Sequence, residues 1–269
     1  MNIRRQQHIG SDPFSLVLAF LGGLVLLFLI APLAGMVLKS PLSDLTAAAS
    51  EQEVRASIFL TLWTALAATL LFALAAIPLA WIMARKQFPL KRLVSGIIDL
   101  PVVVPHSAAG IAILGFIAPN SVIGGAAERV GVQFVGGAAG IITAMAFVSA
   151  PFLINAARDG FAAVPERLEK AAMTLGASPV RVFFSISLPL AWRSIVSGMV
   201  MMWARGMSEF GAVVIVAYHP IVTSVLIYER FGAFGLAYAR PVAVIFLGVC
   251  LLFFIVVRLL SKEKANAAR

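Results

Sequence analysis

The chain has 269 residues, 61% of them hydrophobic and only 12% charged, with a formal net charge of +9 and a mean hydropathy of +0.99. Water-soluble domains are roughly half apolar and a quarter charged. A compact soluble fold therefore cannot hide this much apolar surface, and the solvent for most of this chain is lipid. The single cysteine, Cys250, excludes a disulfide framework or a thiolate metal site, and it reads as a small hydrophobe inside an apolar run.

A membrane helix needs about 20 consecutive apolar residues. In chain order, six segments satisfy this: residues 14–38, 57–84, 93–118, 136–157, 194–217 and 241–257, the last running past Arg258 to Leu260. The first is longer than the apolar core of a cleaved leader, so it reads as a retained span. Pro78 is expected to kink the second. The third is apolar apart from Asp99 and His106, and the fifth apart from Arg205 and Glu209.

Orientation follows from Lys and Arg. Fifteen lie on segments sharing the side of the N-terminus; five (Lys39, Arg55, Arg129, Arg230 and Arg240) lie on the other side, and Arg205 lies within a span. With five acids on each side, one face nets +10 and the other zero. This places both termini in the cytoplasm. The basic balance is thus a topology signal and an attraction to anionic inner-leaflet lipid, not a nucleic-acid surface. The expected fold class is an all-α integral membrane protein of six transmembrane helices. It forms one domain over residues 1–269, with a core at about 57–260 and tails at 1–13 and 262–269, the second tail frayed.

The longest inner segment, residues 159–193, has the pattern of two short helices. Pro165 suits a first helical position, and Glu166 sits in the first turn, where the helix dipole favours an anion. Leu168, Ala171, Ala172 and Leu175 share one helix face. Gly176 is placed to end that helix, and Ser178-Pro179 to start the next as N-cap and first residue. Val182, Phe183, Ile186 and Leu190 give the second helix its apolar face, and Pro189 marks the exit toward the fifth span. The pattern alone allows an interfacial helix pair lying on lipid or a docking knob for a cytoplasmic partner.

The spacing of Ala171-Ala172, Gly176, Ile186 and Leu188-Pro189 resembles the loop of ATP-binding-cassette (ABC) importer permeases, which reads Glu-Ala-Ala, three residues, Gly, nine residues, Ile, one residue, Leu-Pro. In that family the loop forms the coupling helices that seat in the ATPase subunit. The resemblance implies that Glu169, Lys170, Ala171, Ala172, Leu175, Gly176, Ala177 and Ser178 couple to an ATPase. One position departs: Lys170 stands where the family has Glu, with Glu169 one residue earlier, and Lys170 is spaced to pair with Glu166 at i, i+4. The segments at 99–114, 204–217 and 218–231 resemble the molybdate, tungstate and sulfate branch of these permeases. The implied partners are two copies of an ABC ATPase, an extracytoplasmic oxyanion-binding protein, a second copy of this chain and membrane lipid. The implied location is a prokaryotic cell membrane.

Polar groups within the spans are candidates for a translocation path or gate. Arg205 and Glu209, four residues apart, either flank the path or form an internal ion pair orienting the helix. Asp99 precedes Pro101 and Pro105, which free backbone carbonyls and bend helices. His106 is either hydrogen-bonded within the bundle or a ligand. Thr223 and Ser224, beyond the fifth span, belong either to an outer mouth or to an ordered loop that Gly232, Gly235 and Pro241 let turn. No Walker A sequence or other Gly-rich phosphate loop is present, so the chain is not expected to be an enzyme or to carry a cofactor. Such a path is expected to bind its anion weakly, without an Arg or Lys cluster. An ion-driven secondary transporter using Asp99 and Glu209, and a membrane scaffold without transport, remain the other classes.

Overall fold

The computed structural model describes residues 13–266, with side chains described through residue 255. The charges counted above at Arg4, Arg5 and Asp12, and at Arg258, Lys262, Glu263, Lys264 and Arg269, belong to side chains outside that description. Among the described residues the ordered elements are all helical. They are α1 (Pro13–Leu38), α2 (Leu42–Ser50), α3 (Gln52–Arg85), α4 (Lys91–Val103), α5 (His106–Ile117), α6 (Val122–Arg129) and α7 (Ala138–Ala163). There follow α8 (Glu166–Thr174), α9 (Pro179–Val182), α10 (Leu188–Met207), α11 (Val213–Val216), α12 (Thr223–Phe234) and α13 (Leu236–Asn266).

Among the described residues, five helical stretches are long and apolar enough to cross a membrane: α1, α3, α7, the continuous run Pro179–Met207, and Leu236–Ile255 of α13. The expected third span is instead two helices, α4 and α5, bent by 112° where they meet. Pro105 lacks an N–H and disfavours helical backbone at the residue before it, and Val104 accordingly lies extended at φ −68°, ψ 134°. Counting the bent pair as one crossing gives six.

The second short helix expected in the central loop is not separate from the fifth span. A π turn at Phe183–Ser187 joins α9 to α10 into one rod. Pro189 has no N–H for the usual i−4 bond, and the chain loosens just before it: the Leu188 N–H reaches back five residues to the Phe183 carbonyl. This rod ends at Met207, so the expected continuation of the span to Ala217 gives way to a break over residues 208–212 and the single turn of α11. Similarly, α7 runs on to Ala163, so Asp159 is helical and the segment between the two long helices shrinks to residues 164–178. Pro165 stands one position before α8, as its N-cap. The last helix continues to Asn266, beyond the start expected for a frayed tail.

Helix α7 is the centre of the bundle, with α3 and α10 packed on it. Association in lipid gains little from hydrophobicity, so close contact between small residues must supply the attraction. Ala65, Ala68, Ala73, Ala76 and Ala80 of α3 are all buried. A Cβ added to Gly160 of α7 would stand 2.5 Å from the Ser194 Cβ, and one on Gly198 of α10 would stand 2.8 Å from the Ala156 Cβ. The Trp203 indole N–H donates to the Leu62 carbonyl at 3.1 Å, tying α10 to α3. Helix α1 has no buried residue and touches the bundle through α13.

Candidate functional site

At one end of the bundle α8 projects between two turns. Gly176 adopts φ 88°, and the Ala177 N–H bonds the Ala172 carbonyl at 3.0 Å, closing the helix with the left-handed residue the sequence anticipates. Ser178 caps the next helix through the Arg181 N–H at 3.3 Å, with Pro179 at its first position. Lys170 pairs with Glu166 at 2.9 Å across one turn. Of the predicted apolar face, Leu168 and Ala171 are exposed, Ala172 is half-buried, and Leu175 is 89% exposed. Val180 and Phe184 on the adjoining rod are exposed as well.

The one buried residue of α8 is an acid. Glu169 lies against the end of α3, where the Arg85 Nε donates to both carboxylate oxygens at 3.1 and 3.0 Å and Nη2 donates to Oε1 at 2.9 Å. Ser187, in the π turn, donates to the same oxygen at 2.7 Å. The guanidinium also donates to the Val164 carbonyl at 2.8 Å, just past the end of α7. Four elements thus converge on one ion pair whose side chains are 7% and 9% exposed. Neither Arg85 nor Ser187 stands out in the sequence. Arg85 is one of several cations flanking a span, and nothing local reveals a partner 84 residues away.

Deeper in the bundle the two helix breaks meet. His106 opens α5 just after the first break, Arg205 lies in the last turn of α10, and Glu209 lies within the second break. The Arg205 Nη2 lies 2.9 Å from the His106 Nε2 and 2.9 Å from the Glu209 Oε2, and the His106 Nδ1 lies 3.3 Å from that same oxygen. Neither contact with Oε2 is aligned as a hydrogen bond, so the Arg205 charge 2.9 Å away is what holds it. Oε1 accepts the Ala212 N–H at 3.0 Å and caps the break from within. Glu209 is fully buried, Arg205 is 22% exposed and His106 39%, so the cluster opens outward through the imidazole.

The other candidates lie apart from this cluster or support it from the backbone side. Asp99 of α4 accepts from Asn155 Nδ2 of α7 at 2.6 Å. Thr223 donates its backbone N–H to the Thr61 hydroxyl at 2.9 Å, and its own hydroxyl sits 3.2 Å from Thr61 and 3.4 Å from Ser57. All three are buried, which makes this a pin between α3 and α12. Ser224 donates to the Glu209 carbonyl at 2.8 Å, bracing the second break. Ser57 and Thr61 had no signal in the sequence beyond being hydroxyls in an apolar run.

The profile of the binding-protein-dependent transport system inner membrane components matches residues 76–265. The chain is 49% identical over 206 residues to the molybdate/tungstate transport system permease protein of Pyrococcus abyssi, covering 76% of this chain and 78% of that one. It is 44% identical over 248 residues to the protein of the same name in Thermococcus kodakarensis, covering 91% and 95%. A sulfate transport system permease protein of Synechocystis is 27% identical over 245 residues, covering 88% and 86%. In fold, the chain is similar to a chain of a bacterial ABC transporter involved in the import of alginate, with a TM-score of 0.72, 19% identity, and 93% and 96% of the two chains covered. Polar groups gathered at helix breaks, the helical loop projecting from one end and these relationships agree, and the chain belongs to the binding-protein-dependent transport system inner membrane components, the permease subunits of ABC transporters.

Proposed function

We propose that this chain is the permease of an ATP-driven importer for molybdate or tungstate. Two copies enclose the path, two ATPase subunits dock on the loops between α7 and α10, and an extracytoplasmic binding protein delivers the anion. The observation that carries the substrate reading is the near full-length identity of 44% with a permease named for molybdate and tungstate, against 31% and 27% for two sulfate permeases. The excess of Lys and Arg on one side supports cytoplasmic termini, with the α8 loop on the same side.

In this reading, ATP binding closes the ATPase pair, the loops holding Glu169, Lys170, Ala171, Ala172, Leu175, Gly176, Ala177 and Ser178 move with it, and the bundles swing outward-open. Hydrolysis resets them. The cycle is a population shift driven by contacts that differ between the two states. The exposed Leu175 supports this role, since an apolar side chain left uncovered at the end of a projecting helix fits a protein groove. His106, Arg205 and Glu209 form the gate candidate, with Asp99, Thr223 and Ser224 in supporting positions.

The test is uptake of labelled molybdate into vesicles containing the chain, its ATPase and its binding protein. Uptake should require ATP and be competed by tungstate, with sulfate much weaker. Equal competition by sulfate would move the assignment to the sulfate branch, and uptake without ATP would favour an ion-driven carrier.

A further inference from the structure

We infer that Arg85 is a positioning residue for force transmission, acting through Glu169 to make α8 rigid with the ends of α3 and the α9–α10 rod. The inference rests on the reading of α8 as the element that an ATPase moves. Helix α8 has nine residues and joins its neighbours through turns at 164–165 and 175–178. On backbone alone it is a paddle between two hinges. A push on its tip would be absorbed in those turns instead of reaching the long helices.

The Arg85–Glu169 pair removes that freedom. The guanidinium fork is held by both Glu169 oxygens and the Val164 carbonyl, and the Ser187 hydroxyl holds the carboxylate from its other side. A planar guanidinium holding a carboxylate by two parallel bonds resists rotation as well as separation, which a point charge does not. The pin joins the only buried side chain of α8 to the last residue of α3, the turn after α7 and the π turn of the rod. The rest of α8, apart from half-buried Ala172, stays uncovered and available to a partner. One carboxylate is therefore the internal anchor, while Lys170, next to it, points its pair toward solvent.

Two measurements test this on the full chain. In a Cys250→Ala background, spin labels at the exposed positions Leu175 and Leu90 report the distance from α8 to the segment after α3. The parent, with labelled copies diluted among unlabelled ones so that only distances within one chain are read, should give one narrow distribution. Arg85→Gln should broaden it or add a second distance, Arg85→Lys should fall between, and Ser187→Ala should broaden it least. In vesicles with the ATPase and binding protein, Arg85→Gln should retain the ATPase through purification, yet transport at least about tenfold less anion per ATP hydrolysed. An unchanged distribution, an unchanged anion-to-ATP ratio, or loss of ATPase binding from Arg85→Gln would each overturn the inference. If the parent itself transports no anion, the proposed function fails, and the spin-label distances alone judge the pin.

Discussion

Gly211 lies so close to His106 that a Cβ built on it would stand 2.7 Å from the His106 Cβ. The two helix breaks are therefore packed flush, the second lying on the first turn of α5. Gly110 repeats the contact one turn on, its own Cβ position falling 3.0 Å from the Ala212 Cα. Gly211→Ala should force the breaks apart at a cost of about 1–3 kcal/mol, the range for overpacking a tight contact. Thermal unfolding in detergent should shift down accordingly, with uptake impaired. An unshifted transition would mean that the breaks move independently.

The Arg205–Glu209 pair is asymmetric, and so are the expected effects of breaking it. Arg205→Gln leaves a fully buried carboxylate without its permanent counter-charge, with only the Ala212 N–H and the His106 ring beside it, which should cost about 3–5 kcal/mol. Glu209→Gln strands a guanidinium that already reaches solvent, and the amide oxygen still accepts from Ala212, so about 2 kcal/mol is expected. Glu209→Ala also orphans the Ala212 N–H, adding about 1 kcal/mol. In denaturation curves Arg205→Gln should be the most destabilised, followed by Glu209→Ala and then Glu209→Gln. A greater loss for Glu209→Gln than for Arg205→Gln would contradict the buried-carboxylate account.

The spans α1, α3 and α7 were legible because long uncharged runs have one physical solution in lipid. Arg205 and Glu209 were legible as a pair because their i, i+4 spacing allows contact, and the contact survives although α10 ends at Met207, between them. His106 was not, since it joins them across 99 residues through the α4–α5 bend. Pro101 and Pro105 announce a bend, but its size depends on Gly110 and Gly211 letting α5 sit against the second break. The continuity of α9 with α10 was hidden for a different reason. Gly176, Ser178-Pro179 and Pro189 read as stop, start and exit, and a π turn leaves no periodic signature to correct that. Arg85 was lost among cations that topology already explains.

Lys170 alters the titration of its neighbour. The Glu166 carboxyl is held below its ordinary value, first by the hydrogen bond from the Lys170 ammonium and then by its charge. A depressed acid favours the folded helix above its unfolded-chain pKa, and that contribution is lost as pH falls through the depressed value. Lys170→Gln should move the Glu166 titration upward, as read by carbon-13 carboxyl shifts. The pair stands in solvent, so melting at neutral pH should stay as in the parent. A Glu166 titration identical in both proteins would remove the pair from the account.

The hydroxyl pin between α3 and α12 makes a sharper prediction than its size suggests. Thr61→Val keeps shape but leaves the buried Thr223 N–H without an acceptor, for a loss of about 1–3 kcal/mol. Thr61→Ser keeps the oxygen and should stay close to the parent. Equal melting of the Val and Ser variants would show that the N–H finds another partner.

The α7–α10 seam tests whether close backbone approach holds the bundle together. Gly160→Ala would place a methyl 2.5 Å from the Ser194 Cβ and 3.3 Å from the Ala191 carbonyl. Alanine is intrinsically the better helix former by roughly 0.5–1 kcal/mol, so propensity alone predicts stabilisation. The clash should win, because the obstacle is a Cβ fixed to its backbone rather than the end of a flexible chain, and a net loss of about 1–3 kcal/mol is expected. Ser194→Gly removes that obstacle, so the double variant should recover most of the stability lost by Gly160→Ala. The recovery will be incomplete, since a glycine within α10 carries its own helix penalty of about 1 kcal/mol and the Ala191 carbonyl still borders the site. Unfolding of the parent, both single variants and the double variant closes the cycle. Additive losses in the double variant would mean that residues 160 and 194 do not touch, and that the tight seam is not what packs α10 on α7.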